Sequence, residues 1–282
     1  MFGKEYAHHP TILLQSFGEM NEVYKTKVKK TNKRNHLLTI LIKIYILIVG
    51  IPEIGFQLRS LYFKNITTTY LINKNLQNIF DAGSGIGSYT FWLSKVFPNS
   101  EILGGEIDRK KIIASNRMKR QQKANNVSFK YIDITKKQKA KQFDFIVTID
   151  VLEHIPDYEK VLNNFSHLLK SNGYLYIHVP QPNQKRIFSA FKKWHHHDHV
   201  REGISRKTLS QVLKAKGFQI IIAKDTFGFF GKLAWEINHF MLSKSFFMTG
   251  ITYPFLYVLT QLDTLQKNKQ GLGIAVLAQK KI

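Results

Sequence analysis

The stretch Phe80-Asp81-Ala82-Gly83-Ser84-Gly85-Ile86-Gly87, FDAGSGIG, decides the fold. It closes a short apolar run and opens Ser88 to Phe97, a segment of helix length that stops at Pro98. A glycine loop between a strand and a helix lets backbone approach a ligand closely, because glycine takes positive φ and has no Cβ. The spacing is GxGxG, with Ser88 where a dinucleotide loop requires Gly or Ala, which disfavours NAD. Gly87-Ser88-Tyr89 holds no lysine, so the loop is not a Walker-type phosphate cradle. Asp81 at the strand end would repel a pyrophosphate and attract an ammonium or sulfonium. The loop therefore points to a cationic ligand.

Outward from the loop, strand-length apolar runs alternate with amphipathic stretches of helix length, the pattern of a parallel sheet with crossover helices. Strands are expected at Ile79 to Ala82, Glu101 to Glu106, Val127 to Ile132, Phe143 to Ile149, Tyr174 to Val179, Phe218 to Ala223 and Gly273 to Ala278. Helices are expected at Ser88 to Phe97, Lys110 to Ala124, Tyr158 to Leu169, closed by Asn172-Gly173, and Lys207 to Lys216, capped by Ser205 and closed by Gly217. The fold class is α/β: a doubly wound, seven-stranded Rossmann-like sheet with helices on both faces. Residues 1–75 form an N-terminal helical extension to a domain spanning 76–282. An aromatic-rich helical insertion, 226–271, precedes the last strand where an acceptor pocket or a membrane contact belongs.

Composition excludes several classes. With 282 residues, 44% hydrophobic and 13% aromatic, the chain can pack a core and is not disordered. It has no cysteine, which removes disulfide scaffolds, thiolate nucleophiles and Cys-ligated zinc or iron–sulfur sites. Its net charge of +23 suits nucleic acid or anionic membrane, but lysine outnumbers arginine 34 to 8 among many Asn and Ile, a mix that coding bias would give without any selected ligand, and both readings stand. The apolar segment Leu37 to Ile51 follows the basic run Lys25 to Arg34, contains Lys43 and is too short to span a bilayer, so a buried or interfacial helix is expected. No signal-peptide pattern stands out. A cytoplasmic protein is expected, peripheral at the inner membrane face if membrane-bound at all.

Glu106 closes the second strand 19 residues after Gly87, close to the offset of about 20 at which an acid meets a ribose diol in such folds. Asp133, in KYIDIT, can accept from an exocyclic adenine amine. An adenosine with a cationic tail is the ligand these residues outline together.

FDAGSGIG, LGGEIDRKKI, FKYIDIT and FDFIVTIDVLEHIPDYEKVLNNFSHLLKSNGYLYIHVP resemble class I S-adenosylmethionine-dependent methyltransferases, the broad group that includes quinone, sugar and small-molecule methyltransferases. The resemblance is dense over residues 75–180. It implies S-adenosylmethionine as cofactor. Asp81, Gly83, Ser84, Gly85 and Gly87 would line its methionine end, Glu106 with Ile107 the ribose, Asp133 with Ile134 the adenine, and Asp150 the methionyl portion.

Methyl transfer to a hydroxyl needs a base. His199, in HHHDHVREG, lies in a loop expected to cross the C-terminal edge of the sheet and is preferred narrowly over His154 in DVLEH. The blander reading of His154 is a packed, hydrogen-bonded side chain. DVLEH also resembles an ExxEH arrangement that binds a divalent ion in some members, with Asp150 replacing the first Glu; His195, His196, His197 and Asp198 offer further donors. No metal site is assigned. IDVL stands where nucleobase amine methyltransferases carry [ND]PP[YF], so nucleobases are disfavoured. The expected acceptor is a small-molecule, lipid-linked, quinone-like or glycan group methylated at oxygen or carbon. The alternatives are RNA 2′-O-methylation using the basic surface, and a non-catalytic, membrane-associated protein that only binds the cofactor. The sequence leaves oligomeric state open.

Overall fold

The computed structural model describes residues 53–138, 142–191 and 199–281. The segment Leu37 to Ile51 and the run His195 to Asp198 lie outside the described residues. The first described element is α1 (Ile54–Leu71), whose start is fixed by Glu53: its carboxylate accepts from Gly55 N at 2.9 Å and from Phe56 N. The alternation expected from the sequence then follows. It runs β1 (Asn78–Ala82), α2 (Ser88–Val96), β2 (Glu101–Glu106), α3 (Arg109–Gln122), β3 (Val127–Tyr131), β4 (Phe143–Ile149), α4 (Tyr158–Leu168), β5 (Leu169–Pro180), α5 (Arg206–Ala215) and β6 (Phe218–Thr226). Two consecutive helices, α6 (Phe229–Lys244) and α7 (Phe246–Leu265), precede β7 (Gly273–Lys280).

The seven strands form one sheet in the order β3-β2-β1-β4-β5-β7-β6, parallel except for β7, which runs antiparallel to both neighbours. Strand order reverses between β1 and β4. That switch point leaves a crevice at the carboxyl ends of the strands, where open α/β sheets bind ligands.

Side-chain alternation along the strands builds a core on each face. Ile79, Phe145, Val147 and Tyr176 pack on one side with Ile54, Leu58 and Phe63 of α1, whereas Phe80, Ile146, Leu175 and Ile177 pack on the other with Leu162, Phe165 and Leu209. α1 is therefore continuous with the sheet's own core.

Several boundaries differ from the sequence expectation. Asn172-Gly173 does not close α4: the helix ends at Leu168, Leu169 already pairs with Phe143, and the ladder resumes at Phe145–Tyr174. Asn172 has φ +62°, so the left-handed residue that reads as a helix cap makes a bulge inside β5 instead. The strands β6 and β7 extend to Thr226 and Lys280, because they pair from Phe218–Lys280 to Thr226–Gly273. No described helix is long and apolar enough to cross a membrane.

Candidate active site

A cavity of about 630 Å³ opens at the switch point. The glycine loop forms one wall. Gly83 and Gly85 hold φ of +80° and +57°, and a Cβ at Gly83 would stand 2.4 Å from Cγ2 of Val151, itself a lining residue. Gly83, Ser84 and Gly85 line the cavity. Gly87 does not: it starts α2 at φ +89° against the Phe129 ring. Asp81 is buried behind the loop, where it accepts a 2.6 Å hydrogen bond from Thr90 Oγ1, and it does not line the cavity either.

Glu106, at the end of β2, is held by backbone. Its Oε2 accepts from Gly85 N at 2.9 Å, and its Oε1 accepts from Ile107 N at 2.7 Å and Asp108 N at 2.9 Å. Three N–H donors converging on one carboxylate fix it against the loop while it still lines the cavity beside Ile107. Asp133 and Ile134 lie on the same wall, with Ile132. Thr135 donates to Asp133 Oδ1 from its hydroxyl at 2.6 Å and its backbone at 3.0 Å. The Thr135 hydroxyl, then its backbone N–H and Lys136, hold the Asp133 carboxyl below its ordinary value against the opposing effect of burial.

Asp150 closes β4 in a conformation that L residues rarely adopt, φ +52°, and its side chain is pinned from two sides. His178 Nδ1 lies 2.6 Å from Oδ1, and Arg59 Nη1 lies 3.0 Å from Oδ2. His178 Nε2 in turn meets Thr226 Oγ1 at 3.0 Å. Burial opposes the charge on Arg59, but Asp150 and then Glu53 outweigh it and keep the guanidinium charged. Arg59, Phe56 and Tyr89 line the cavity with Asp150. Burial, foremost, pushes the Tyr89 phenol up, so it is neutral at physiological pH.

Sequence reading did not find Arg59, His178, Tyr89 or Phe56. Only His178 carries a signal: it is the one imidazole in the apolar run Tyr174 to Val179, level with Ile149 in the sheet. Arg59 has no local signature, since it reaches the cavity from a helix 22 residues before Asp81.

His154 lines the cavity, from a 3₁₀ turn (Leu152–His154) that follows β4 directly. His199 does not; its ring packs edge-on against His154, with centroids 4.7 Å apart. The following residues clamp that loop to the turn: Val200 N donates to Glu153 O at 3.1 Å, and Arg201 donates to the carbonyls of Leu152, Ile155 and Pro156. The structure thus brings both histidines together, and of the two only His154 lines the cavity, whereas the preference drawn from sequence is for His199. Glu153, His154 and His199 each offer a ligand atom within 4.8 Å of the others, a carboxylate and two imidazoles that suit a divalent transition ion. Asp150, the counterpart of the first ExxEH acid, is engaged with Arg59 and His178.

The methyltransferase-domain family model matches residues 73–217, just over half of the chain. The chain belongs to this methyltransferase family. Its fold is the class I S-adenosylmethionine-dependent one, and its relatives are distant. It is 26% identical over 106 residues to (S)-coclaurine N-methyltransferase of Papaver somniferum, covering 37% of this chain and 30% of that protein. It is 29% identical over 110 residues to the ubiquinone biosynthesis O-methyltransferase of Coxiella burnetii, covering 39% and 46%. The chain thus spans less than half the length of these curated relatives. Phosphoethanolamine N-methyltransferase 2 of Haemonchus contortus, solved with phosphomonomethylethanolamine and S-adenosylhomocysteine, superposes with a TM-score of 0.56 at 16% identity, over 78% of this chain and 53% of that one. At that identity the likeness shows the fold.

The cavity lining suits S-adenosylmethionine, although Asp81 and Gly87 are not part of it. Glu106 and Asp133 are fixed acceptors of the kind a diol and an exocyclic amine need, and Ile132, Ile134 and Ile155 add apolar wall of the kind a purine needs. Arg59 and Asp150 set a cation beside an anion, the complement of the zwitterionic amino-acid end.

Proposed function

We propose that this chain methylates a hydroxyl of a small-molecule acceptor, quinone-like, lipid-linked or glycan, using S-adenosylmethionine. The observation that supports oxygen as the target is His154, the one imidazole among the described lining residues of the cavity. S-adenosylmethionine supplies an electrophilic methyl on a sulfonium. Glu106 and Asp133 hold the nucleoside, Arg59 and Asp150 hold the amino-acid end, and the glycine loop lets backbone close on the ligand. His154 takes the acceptor's hydroxyl proton as its oxygen becomes nucleophilic. His199, packed on its edge, fixes the ring's orientation. The ubiquinone-biosynthesis relative, an O-methyltransferase, agrees with a hydroxyl acceptor; the coclaurine relative acts at nitrogen and makes an amine the competing target.

The test is calorimetric titration of S-adenosylmethionine and S-adenosylhomocysteine, then radiolabelled methyl transfer to a panel of polyprenyl phenols, catechols, glycans, cyclic amines and RNA. Micromolar cofactor binding with label appearing on hydroxyl acceptors is expected. His154→Ala should lower turnover by about a hundredfold to ten-thousandfold while leaving cofactor affinity unchanged. Label only on amines, or full turnover in His154→Ala, removes the hydroxyl reading; label only on RNA moves the acceptor to the basic-surface alternative.

A further inference from the structure

α7 turns a row of apolar side chains to solvent. At about 100° per residue, Phe247, Ile251, Val258, Leu262 and Leu265 fall in one narrow sector, and Met248 and Phe255 widen it to about 100°. All seven are exposed, Phe247 to 71%, Phe255 to 73% and Leu265 to 82%. The opposite side of the helix carries Tyr253, Leu256, Thr260 and Asp263, all buried. The inner face therefore already anchors the helix, and the outer row, about 27 Å long, is surplus to folding. A contiguous apolar row of this length in water marks a contact surface.

Charge selects its occupant. Asp263 is the only charged residue of α7 and is buried, so the outer face bears no carboxylate. The nearest charges along the chain at the two ends are Lys244 before the helix and Lys267 and Lys269 after it, all exposed. Long lysine stems can lie along an apolar surface and keep their ammonium groups at its polar boundary. A second copy of this chain, itself +23 overall, would set the same flanking lysines against these, whereas an anionic lipid surface brings the opposite sign. No described helix is long and apolar enough to cross a bilayer, so the contact lies in the membrane plane.

We propose that α7 docks the protein on an anionic lipid surface, seating the row from Phe247 to Leu265 at the acyl boundary with Lys244, Lys267 and Lys269 among the headgroups. This surface is separate from the methyl-transfer cavity and stands whatever the acceptor proves to be. Because the chain has no cysteine, Val258→Cys in the full chain takes a single environment-sensitive fluorophore. Vesicles of phosphatidylcholine with about one third phosphatidylglycerol should shift its emission to the blue, less so at high salt, while the same label at Arg117→Cys on α3 stays unmoved. The variant Phe247→Ser/Phe255→Ser/Leu265→Ser changes only exposed side chains and should keep its thermal midpoint yet lose about a hundredfold in vesicle partitioning. No shift on anionic vesicles overturns the proposal, as does wild-type partitioning by the triple variant, which would leave binding to the basic surface alone. A label already blue-shifted without vesicles also overturns it; light scattering then tells a second copy from cover by the chain's own Leu37 to Ile51 segment.

Discussion

Glu106→Gln tests the ribose wall most sharply, because one atom changes and three backbone donors feel it. The carboxylate now accepts from Gly85 N through one oxygen and from Ile107 N and Asp108 N through the other. A glutamine that keeps its carbonyl towards Ile107 and Asp108 turns its own N–H₂ against the Gly85 N–H, donor to donor. One charge-assisted bond is lost and two fall to neutral strength, so unfolding free energy should drop by about 2–4 kcal/mol. The ligand loses as well, since the diol gives up a charged acceptor worth about 1.5–3 kcal/mol, or about tenfold to a hundredfold in Kd. Titration of S-adenosylhomocysteine and its 2′-deoxy analogue into both proteins separates the two effects. Wild type should discriminate strongly against the deoxy compound, and the variant should bind both about equally. Discrimination of the same size in both proteins, or a Kd within about twofold of wild type, would refute the placement of the ribose at Glu106.

Gly83→Ala must accommodate φ +80° and a Cβ only 2.4 Å from Val151 Cγ2, so it should cost about 2–3 kcal/mol in denaturant unfolding; an unshifted midpoint would refute the loop conformation. Arg59→Met should weaken S-adenosylhomocysteine at least about tenfold but leave adenosine binding unchanged, and equal losses for both would detach Arg59 from the amino-acid end. Asp133, whose carboxyl Thr135 and Lys136 depress in the folded state, contributes stability that is present above its unfolded value of about 3.9 and is lost as pH falls through the lower folded value. Asp133→Asn should therefore flatten the acid limb of the thermal midpoint below about pH 4; an unchanged limb would show that other carboxylates set it.

The wall proposed to hold the nucleoside is legible in sequence because it is local. The apolar run, the glycine loop and a helix lie within 20 residues, and Glu106 and Asp133 mark the ends of the next two strands. What escapes is what only the sheet brings together. His178 meets Asp150 because β4 and β5 are neighbours, and nothing near either residue announces the other. Asn172 shows the limit of local rules: a left-handed residue followed by glycine reads as a helix end, yet pairing of Leu169 with Phe143 takes the backbone into β5 three residues earlier. The two faces of α7 escape for a different reason. Its inner side packs Tyr253 and Leu256 while its outer side shows Phe255 and Val258, so apolar residues lie all round and periodicity cannot say which side is buried.

The amino-acid half of the cavity depends on parts of the chain beyond the family match at residues 73–217. Arg59 and Phe56 come from α1, which is held by the late insertion. Tyr62 Oη donates to Asp263 of α7 at 2.8 Å, and Asn268 Nδ2 reaches the same Tyr62 oxygen at 2.8 Å. At the start of α1, Ile54 N reaches Asn238 Oδ1 of α6 at 3.4 Å. Asp263 also accepts from Gly228 N and Gly231 N, which ties the start of α6 to α7. One buried carboxylate on α7 thus links both insertion helices to the helix that aims Arg59 at Asp150. Asp263→Ala leaves the N–H groups of Gly228 and Gly231 buried without that acceptor, costing about 2–4 kcal/mol if both stay unpaired, whereas Tyr62 Oη keeps the main-chain carbonyl of residue 263 at 2.8 Å. If the aiming argument holds, a milder change, Tyr62→Phe, should lower affinity for S-adenosylhomocysteine while sparing adenosine, reproducing Arg59→Met in weaker form. A Tyr62→Phe protein that binds S-adenosylhomocysteine like wild type would mean that α1 holds Arg59 in place through its apolar packing alone.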